Sequence, residues 1–131
     1  MKKQAIVCVD DEVIILLSLI QELKHAFGSN YLYEKATDAD SALEIIEELE
    51  QEDVEVIFII SDWLMPGMTG DEFLKVVNEK YPHIKTIMIT GHADQTAIDR
   101  VRKIDSVLAV FSKPWNPASL VAVIAKNATD T

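Results

Sequence analysis

The sequence has few cysteines and few positive charges. Cys8 is the single cysteine of the chain, which excludes an internal disulfide and a cysteine-based metal cluster. The 12 Lys and Arg residues are outnumbered by 22 Asp and Glu residues, so the formal net charge is −10. Because phosphate contacts need clustered cations, this balance disfavours binding to nucleic acid or to an anionic membrane surface. It fits a soluble protein, or one that gathers carboxylates around a cation.

The sequence also has no long hydrophobic run and no secretory signal. Its apolar runs, such as residues 13–17, are no longer than six residues, far short of the roughly 18–20 residues that span a bilayer. The first four residues lead directly into a strand-like segment without a small-residue cleavage site. We therefore expect a cytoplasmic protein. From the length of 131 residues and the 26% of charged residues we predict a single domain over residues 1–131, with no output domain in this chain.

Short β-branched runs alternate with segments of helical periodicity along the chain. Strands are predicted over residues 4–9, 31–36, 54–61, 85–90 and 107–112. Helices are predicted over residues 13–27, 71–81 and 95–104, with a further helix beginning among residues 37–40 and a last one running from Asn116 to about residue 127. Five strands alternating with five helices indicate an α/β fold with a parallel sheet and right-handed crossovers.

Polar residues stand at the ends of these strands. Asp10 and Asp11 follow the first strand, Asp62 the third, Thr90 ends the fourth, and Lys113 follows the fifth. Ligands of an open parallel sheet bind outside the carboxyl ends of its strands, so we expect these residues to converge. Each one alone has an ordinary explanation, since strand-end acids often cap the next helix and single lysines lie on surfaces. Their convergence on one edge is what indicates a functional site.

The residue types at this edge suit one kind of chemistry. Three converging carboxylates repel one another unless a cation compensates them. Mg²⁺ prefers carboxylate oxygens, and Lys113 adds a second positive charge. A metal, an ammonium and the hydroxyl of Thr90 together can neutralise and orient a phosphoryl group, and an aspartate can accept it.

Four motifs in order resemble the receiver domain of two-component response regulators. They are Val-Asp-Asp at residues 9–11, Ser-Asp-Trp-Leu-Met-Pro-Gly-Met-Thr-Gly at 61–70, Thr-Gly at 90–91 and Ser-Lys-Pro-Trp at 112–115. The resemblance implies a flavodoxin-like, CheY-like doubly wound fold with strand order 2-1-3-4-5. It also implies a signalling module whose only chemistry is self-catalysed phosphoryl acceptance and autodephosphorylation.

The resemblance implies a metal site for Mg²⁺, or Mn²⁺ in its place. Asp11 matches the direct ligand, and Asp10 matches the acid that holds the ion through water. Asp62 and the main-chain carbonyl of Leu64 match the remaining protein ligands.

The resemblance also implies a phosphorylation site. Asp62 matches the residue that accepts the phosphoryl group from a phosphohistidine of a histidine kinase or phosphotransfer protein. Thr90 and Lys113 match the hydroxyl and ammonium that contact that group, and the peptide between Lys113 and Pro114 is expected to be cis. Phosphorylation would alter the face formed by the fourth helix, fifth strand and fifth helix, toward an output domain, an effector or a second copy.

The sequence departs from the family at the aromatic residue whose ring swings inward together with the threonine on phosphorylation. The family often has Tyr or Phe three residues before its lysine, but this chain has Val110. Phe111 comes next, and strand alternation places it on the opposite face. We therefore expect Thr90 to move on phosphorylation without an aromatic swing at Val110. Leu64 and His92 flank the site. Leu64 is expected to hinder the water that hydrolyses the acyl phosphate, whereas His92 could position that water or be simply exposed, so the lifetime of the phosphoryl group is not predicted.

Other interpretations meet specific obstacles. A flavodoxin-like cofactor binder needs a Gly-, Ser- and Thr-rich phosphate loop where this chain has residues 10–12, Asp-Asp-Glu. A phosphatase of the D-x-D type needs a second acid where Leu64 stands. A receiver-like docking module that is not phosphorylated is the remaining alternative. Trp63 is either a surface aromatic or a side chain that responds to Mg²⁺ binding.

Overall fold

A computed structural model of the chain describes residues 3–63, 67–91 and 95–128. One parallel sheet has the strand order β2-β1-β3-β4-β5. The strands are β1 (Lys3–Val9), β2 (Leu32–Ala36), β3 (Val54–Asp62), β4 (Lys85–Thr90) and β5 (Val107–Ser112). The helices are α1 (Val13–Phe27), α2 (Ala39–Gln51), α3 (Gly70–Lys80), α4 (Gln95–Arg102) and α5 (Pro117–Asn127). The predicted doubly wound five-stranded fold is confirmed.

Local sequence signals start and end the helices. The Asp38 carboxylate accepts a hydrogen bond of 2.7 Å from the Ser41 backbone N–H and thereby caps α2. Asn116 caps α5 in the same way, accepting from the backbone N–H of Ser119 at 3.0 Å. Gly28 follows α1 with a φ of 57°, a left-handed conformation that costs glycine little. These short-range patterns explain why the alternation of elements was predictable.

Several element boundaries differ from the prediction by one or two residues, and those at the ends of β3 and α4 have a visible cause. β3 includes Asp62, which pairs in register with Ile89 of β4, so this aspartate ends the strand instead of beginning the loop. α4 ends at Arg102, two residues before the predicted end, because Ile104 N–H donates to the carbonyl of Val101 at 3.0 Å in a tighter turn. The first difference matters for the site, since a residue inside the hydrogen-bonded ladder has a constrained backbone.

Helices cover the sheet on both faces. The face under α1 and α5 is packed by a cluster that includes Phe58, Ile60 and Leu120. The opposite face is packed under α2 and α3 by a cluster that includes Ile46, Ile59 and Phe73, and beside α4 by Trp63, Leu74, Met88 and Val101. β1 and β3 are therefore buried between layers, as their nearly continuous apolar sequences predict. None of the helices in the described residues combines the length and apolar character needed to cross a bilayer.

Candidate phosphoryl-transfer and metal site

The carboxyl ends of β1, β3 and β5 bring two carboxylates and one ammonium into contact. Lys113 Nζ lies 2.8 Å from Asp10 Oδ2 and 3.3 Å from Asp62 Oδ2. The side chains of Asp10 and Asp62 are 4% and 8% exposed, whereas that of Lys113 is 17% exposed. Buried charges of opposite sign stabilise one another only when they are paired this closely. The predicted convergence of these three residues is thus present in the structure.

A third carboxylate completes an acidic cluster. Ligand oxygens of Asp10, Asp11 and Asp62 all lie within 4.8 Å of one another. The second oxygen of Asp10 accepts a hydrogen bond from the backbone N–H of Glu12 at 2.9 Å, which fixes the orientation of that carboxylate. Asp11 is exposed, so one side of the cluster is open to solvent. Asp10 and Asp62 thus form the buried part of the cluster, and Asp11 forms its solvent-exposed part.

Burial and charge act on the groups of the site in opposite directions. Burial raises the pKa of Asp62, the negative charge of Asp10 raises it further, and the charge and hydrogen bond of Lys113 offset only part of this increase. Burial lowers the pKa of Lys113, but the hydrogen bond to Asp10 and the charge of Asp62 outweigh burial, so its pKa is raised overall. The lysine is therefore firmly cationic, whereas the surroundings of Asp62 disfavour its negative charge.

The donor set of the cluster fits a hard divalent cation. Carboxylate oxygens are the ligands that Mg²⁺ prefers, and the ion binds through a few carboxylates while keeping several waters. The close approach of three carboxylates beside one lysine leaves an excess of negative charge that such an ion would neutralise. Asp10, Asp11 and Asp62 are the residues that would hold it. Leu64, whose carbonyl is a further predicted ligand, lies outside the described residues.

β4 contributes Thr90 beside the lysine. Thr90 is buried at the end of β4 and pairs in register with Ser112 of β5. Its backbone carbonyl accepts a hydrogen bond of 2.9 Å from the backbone N–H of Lys113. The following Lys113–Pro114 peptide bond is cis. The backbone of Lys113 is therefore tied directly to the end of the neighbouring strand.

The switch region has no aromatic side chain at residue 110. Val110 packs beside α4 in the cluster with Met88 and Val101, while Phe111 packs on the opposite face under α1 and α5. The expected alternation of these two side chains is confirmed. His92, the other predicted neighbour of the site, lies outside the described residues.

The structure corrects one expectation near the site and shows two contacts that the sequence did not predict. Trp63 is 8% exposed and packs with Met88 and Val101, so the surface alternative for this side chain is wrong. The carboxylate of Glu12 lies 3.7 Å from Lys113 Nζ at the exposed rim. The indole N–H of Trp115 donates a hydrogen bond of 2.8 Å to Glu22 on α1. Of these three features, only the burial of Trp63 could have been anticipated, because an apolar strand precedes it.

Fold and site together define a class: a doubly wound parallel α/β protein with an acidic, lysine-bridged site at the carboxyl ends of its central strands. The model of the response regulator receiver domain family matches residues 6–125. The chain belongs to this family, whose members are signalling modules of two-component systems and pair with histidine kinases and output domains.

Known relatives show the same family in different contexts. The chain is 32% identical over 123 residues to the hydrogenase transcriptional regulatory protein HoxA of Cupriavidus necator, covering 94% of this chain but 24% of that protein. It is 29% identical over 121 residues to the chemotaxis protein CheY-3 of Vibrio cholerae, covering 91% of this chain and 87% of that protein. A CheY-like receiver domain structure from Methanospirillum hungatei superposes with a TM-score of 0.77 at 30% identity, covering 96% of this chain and 93% of that one. The chain therefore spans about a quarter of one relative and most of another.

Proposed function

We propose that this receiver accepts a phosphoryl group from a phosphohistidine onto Asp62 in a Mg²⁺-dependent reaction. The observation that carries the proposal is the position of Lys113 Nζ, which lies 3.3 Å from Asp62 and 2.8 Å from Asp10. An ammonium placed beside the acceptor carboxylate can stabilise negative charge on the incoming group. The donor in this proposal is a sensor histidine kinase or a phosphotransfer protein.

In the proposed reaction, an Asp62 carboxylate oxygen attacks the phosphorus atom. The phosphorus–nitrogen bond breaks, its electron pair remains on the donor imidazole, and Asp62 becomes an acyl phosphate. Lys113 exchanges its contact with the Asp62 carboxylate for one with a phosphoryl oxygen, while Asp10 keeps it in place. Thr90 donates its hydroxyl to a second phosphoryl oxygen. The chemistry supplied by bound Mg²⁺ is neutralisation of charge on the phosphoryl oxygens.

We further propose that the acyl phosphate shifts a two-state conformational equilibrium of the surface formed by α4, β5 and α5. Lys113 and Thr90 are joined through the backbone hydrogen bond that links β5 to the end of β4. A shift of either residue is therefore transmitted to the edge of the sheet. The proposed readers of this surface are an attached output domain, an effector protein or a second copy of the chain. The proposal places the single receiver domain of residues 1–131 in the cytoplasm, without direct contact to nucleic acid or membrane.

The test is the intact mass of the protein after incubation with acetyl phosphate, with and without Mg²⁺. We expect one added phosphoryl group in the wild type that requires Mg²⁺ and is absent in Asp62→Asn. Asp40→Asn is the matched control, because it makes the same chemical change at an exposed position of α2 and should leave the adduct intact.

Where the adduct is lost before the mass is measured, titration with beryllofluoride, which mimics the phosphoryl group, in the presence of Mg²⁺ tests whether the same site binds that group. The proposal is overturned if the wild type gives neither a mass adduct nor beryllofluoride binding. It is also overturned if the adduct persists in Asp62→Asn. The first of these results would favour a docking module that acts without phosphorylation.

A further inference from the structure

Besides the contact between Lys113 and Asp10, a second side-chain hydrogen bond joins the two chain segments that supply the opposite charges of the site. Trp115 follows Lys113 by two residues, and its indole N–H donates to Glu22 Oε1 at 2.8 Å. Glu22 lies on α1, the helix that begins directly after Asp10 and Asp11. The bond therefore ties the loop that carries the lysine to the helix that follows the carboxylates.

Packing leaves part of the space between these two segments unfilled beside the lysine. A surface cleft of about 370 Å³ separates α1 from the loop after β5, and its lining includes Ile15, Ser18, Lys113 and Pro114. Glu22 and Trp115 line the same cleft and bridge it. Trp115 also packs against the buried cluster that includes Leu16, Leu19 and Leu23 of α1, so the bridge adds a directed hydrogen bond to that apolar contact.

The indole is well suited to hold a fixed distance. Its apolar surface packs against the buried cluster under α1 and α5, which leaves the ring little freedom. Its N–H then meets a carboxylate, and a hydrogen bond to a charged acceptor is stronger than one between neutral groups. On the other side of the loop, the backbone N–H of Lys113 is bonded to the carbonyl of Thr90. The lysine is thus anchored from both sides, once by the backbone and once by the Trp115–Glu22 bridge.

We infer that Glu22 is a positioning residue that acts through Trp115 to hold Lys113 against Asp10 and Asp62. The inference rests on the proposed function for its consequence in phosphoryl transfer. Its structural content is independent of that function: without the bridge, the loop moves away from α1 and the ammonium loses its closest carboxylate contact, that with Asp10. Misplacement of a charge-stabilising group by on the order of 1 Å is enough to slow a reaction substantially.

The first test measures how readily Lys113 is acylated by acetic anhydride, with modification at each lysine quantified by peptide mass spectrometry. The Lys113 side chain is only 17% exposed beside its carboxylate partners, so a lysine that moves away from them meets the reagent more readily. Trp115→Phe keeps an aromatic ring but removes the N–H, and Glu22→Ala removes the acceptor. We expect both variants to acylate Lys113 roughly fivefold faster than the wild type.

Two controls separate positioning from general loosening of the fold. Glu22→Gln retains an acceptor oxygen and is expected to leave the Lys113 rate within about twofold of the wild type. Lys85, which donates to the carbonyl of Asn127 at 2.8 Å, is far from the bridge and is expected to react at an unchanged rate in every variant. The inference is overturned if Lys113 acylation is unchanged in Trp115→Phe, if Glu22→Gln behaves like Glu22→Ala, or if Lys85 accelerates in parallel.

The second test measures the rate at which acetyl phosphate adds a phosphoryl group to the same variants. We expect a several-fold lower rate in Trp115→Phe and Glu22→Ala, and a wild-type rate in Glu22→Gln. If no protein in the series is phosphorylated, the proposed function fails while the acylation ratios still decide the positioning role. If all are phosphorylated at the wild-type rate, the positioning role is refuted and the proposed function stands.

Discussion

The centre of the sheet and its β5 edge differ sharply in burial. In β1, residues Ala5 to Val9 are at most 1% exposed, and in β3 the run from Phe58 to Ile60 is equally buried. In β5, by contrast, the first five residues are only half-buried and Ser112 is exposed. The carboxylates of the site stand on the buried centre, whereas the lysine comes from the half-buried edge. The site is therefore assembled from a rigid half and a half with fewer buried contacts, which is where local opening costs least.

This comparison explains why the anchoring of Lys113 matters. Asp62 is held within the β3–β4 ladder, and the Asp10 carboxylate is oriented by the backbone of Glu12. Lys113 stands just beyond the end of an edge strand. Its backbone N–H is bonded to the carbonyl of Thr90, and Trp115, two residues further on, is bonded to Glu22 of α1. A conformational change is expected to begin in the less buried half, because fewer buried contacts have to be broken there.

The largest effect expected from this difference is on stability. Phe58 is fully buried at the centre of β3, so Phe58→Ala should lower the free energy of unfolding by about 3–5 kcal/mol. Phe111 is a half-buried phenylalanine of β5, and Phe111→Ala should lower it by roughly half as much, because less apolar surface is lost from the core. Urea unfolding of both variants measures the two values. Equal losses would contradict the contrast between centre and edge.

A smaller effect is expected from metal binding to the rigid half. At a free Mg²⁺ concentration about ten times the Kd, binding to the folded state alone should raise the free energy of unfolding by about 1.4 kcal/mol. Asp11 is exposed, so Asp11→Asn should keep the fold but lose most of this response. Thermal unfolding with Mg²⁺ or with EDTA measures it, and Asp40→Asn serves as the charge-matched control. An undiminished response in Asp11→Asn would exclude that residue as a ligand.

The smallest effect concerns the charge of the acceptor without metal. Burial first, and then Asp10, raise the pKa of Asp62 in the folded state. Folding therefore favours the protonated carboxyl, and this favourable contribution is lost as pH rises from the ordinary value of 3.8 through the raised pKa. In EDTA at pH 7, the neutral side chain of Asp62→Asn should raise the melting temperature slightly. The gain should shrink as the pH is lowered toward 4, and a gain that grew instead would reverse the assigned sign.

Much of the fold followed from local patterns. The β-branched runs, the caps at Asp38 and Asn116 and the glycine after α1 are short-range signals. The observed starts of α2 and α5 and the end of α1 agree with them. The end of β3 was less predictable. Asp62 is polar and precedes a Pro-Gly segment, yet its pairing with Ile89 keeps it in the ladder, because neighbouring strands impose hydrogen bonds that single-strand patterns do not contain.

The sequence by itself determined which residue types meet at the edge of the sheet. In a parallel sheet all strand ends point the same way, so Asp10, Asp62 and Lys113 had to converge once the strands were assigned. Only the tertiary structure decided which groups touch. Glu22 and Trp115 are 93 positions apart, and their contact depends on how α1 rotates against the loop after β5. Helical periodicity shows which face of α1 is buried. It does not show which residue of a distant segment Glu22 contacts, since that depends on how the elements pack.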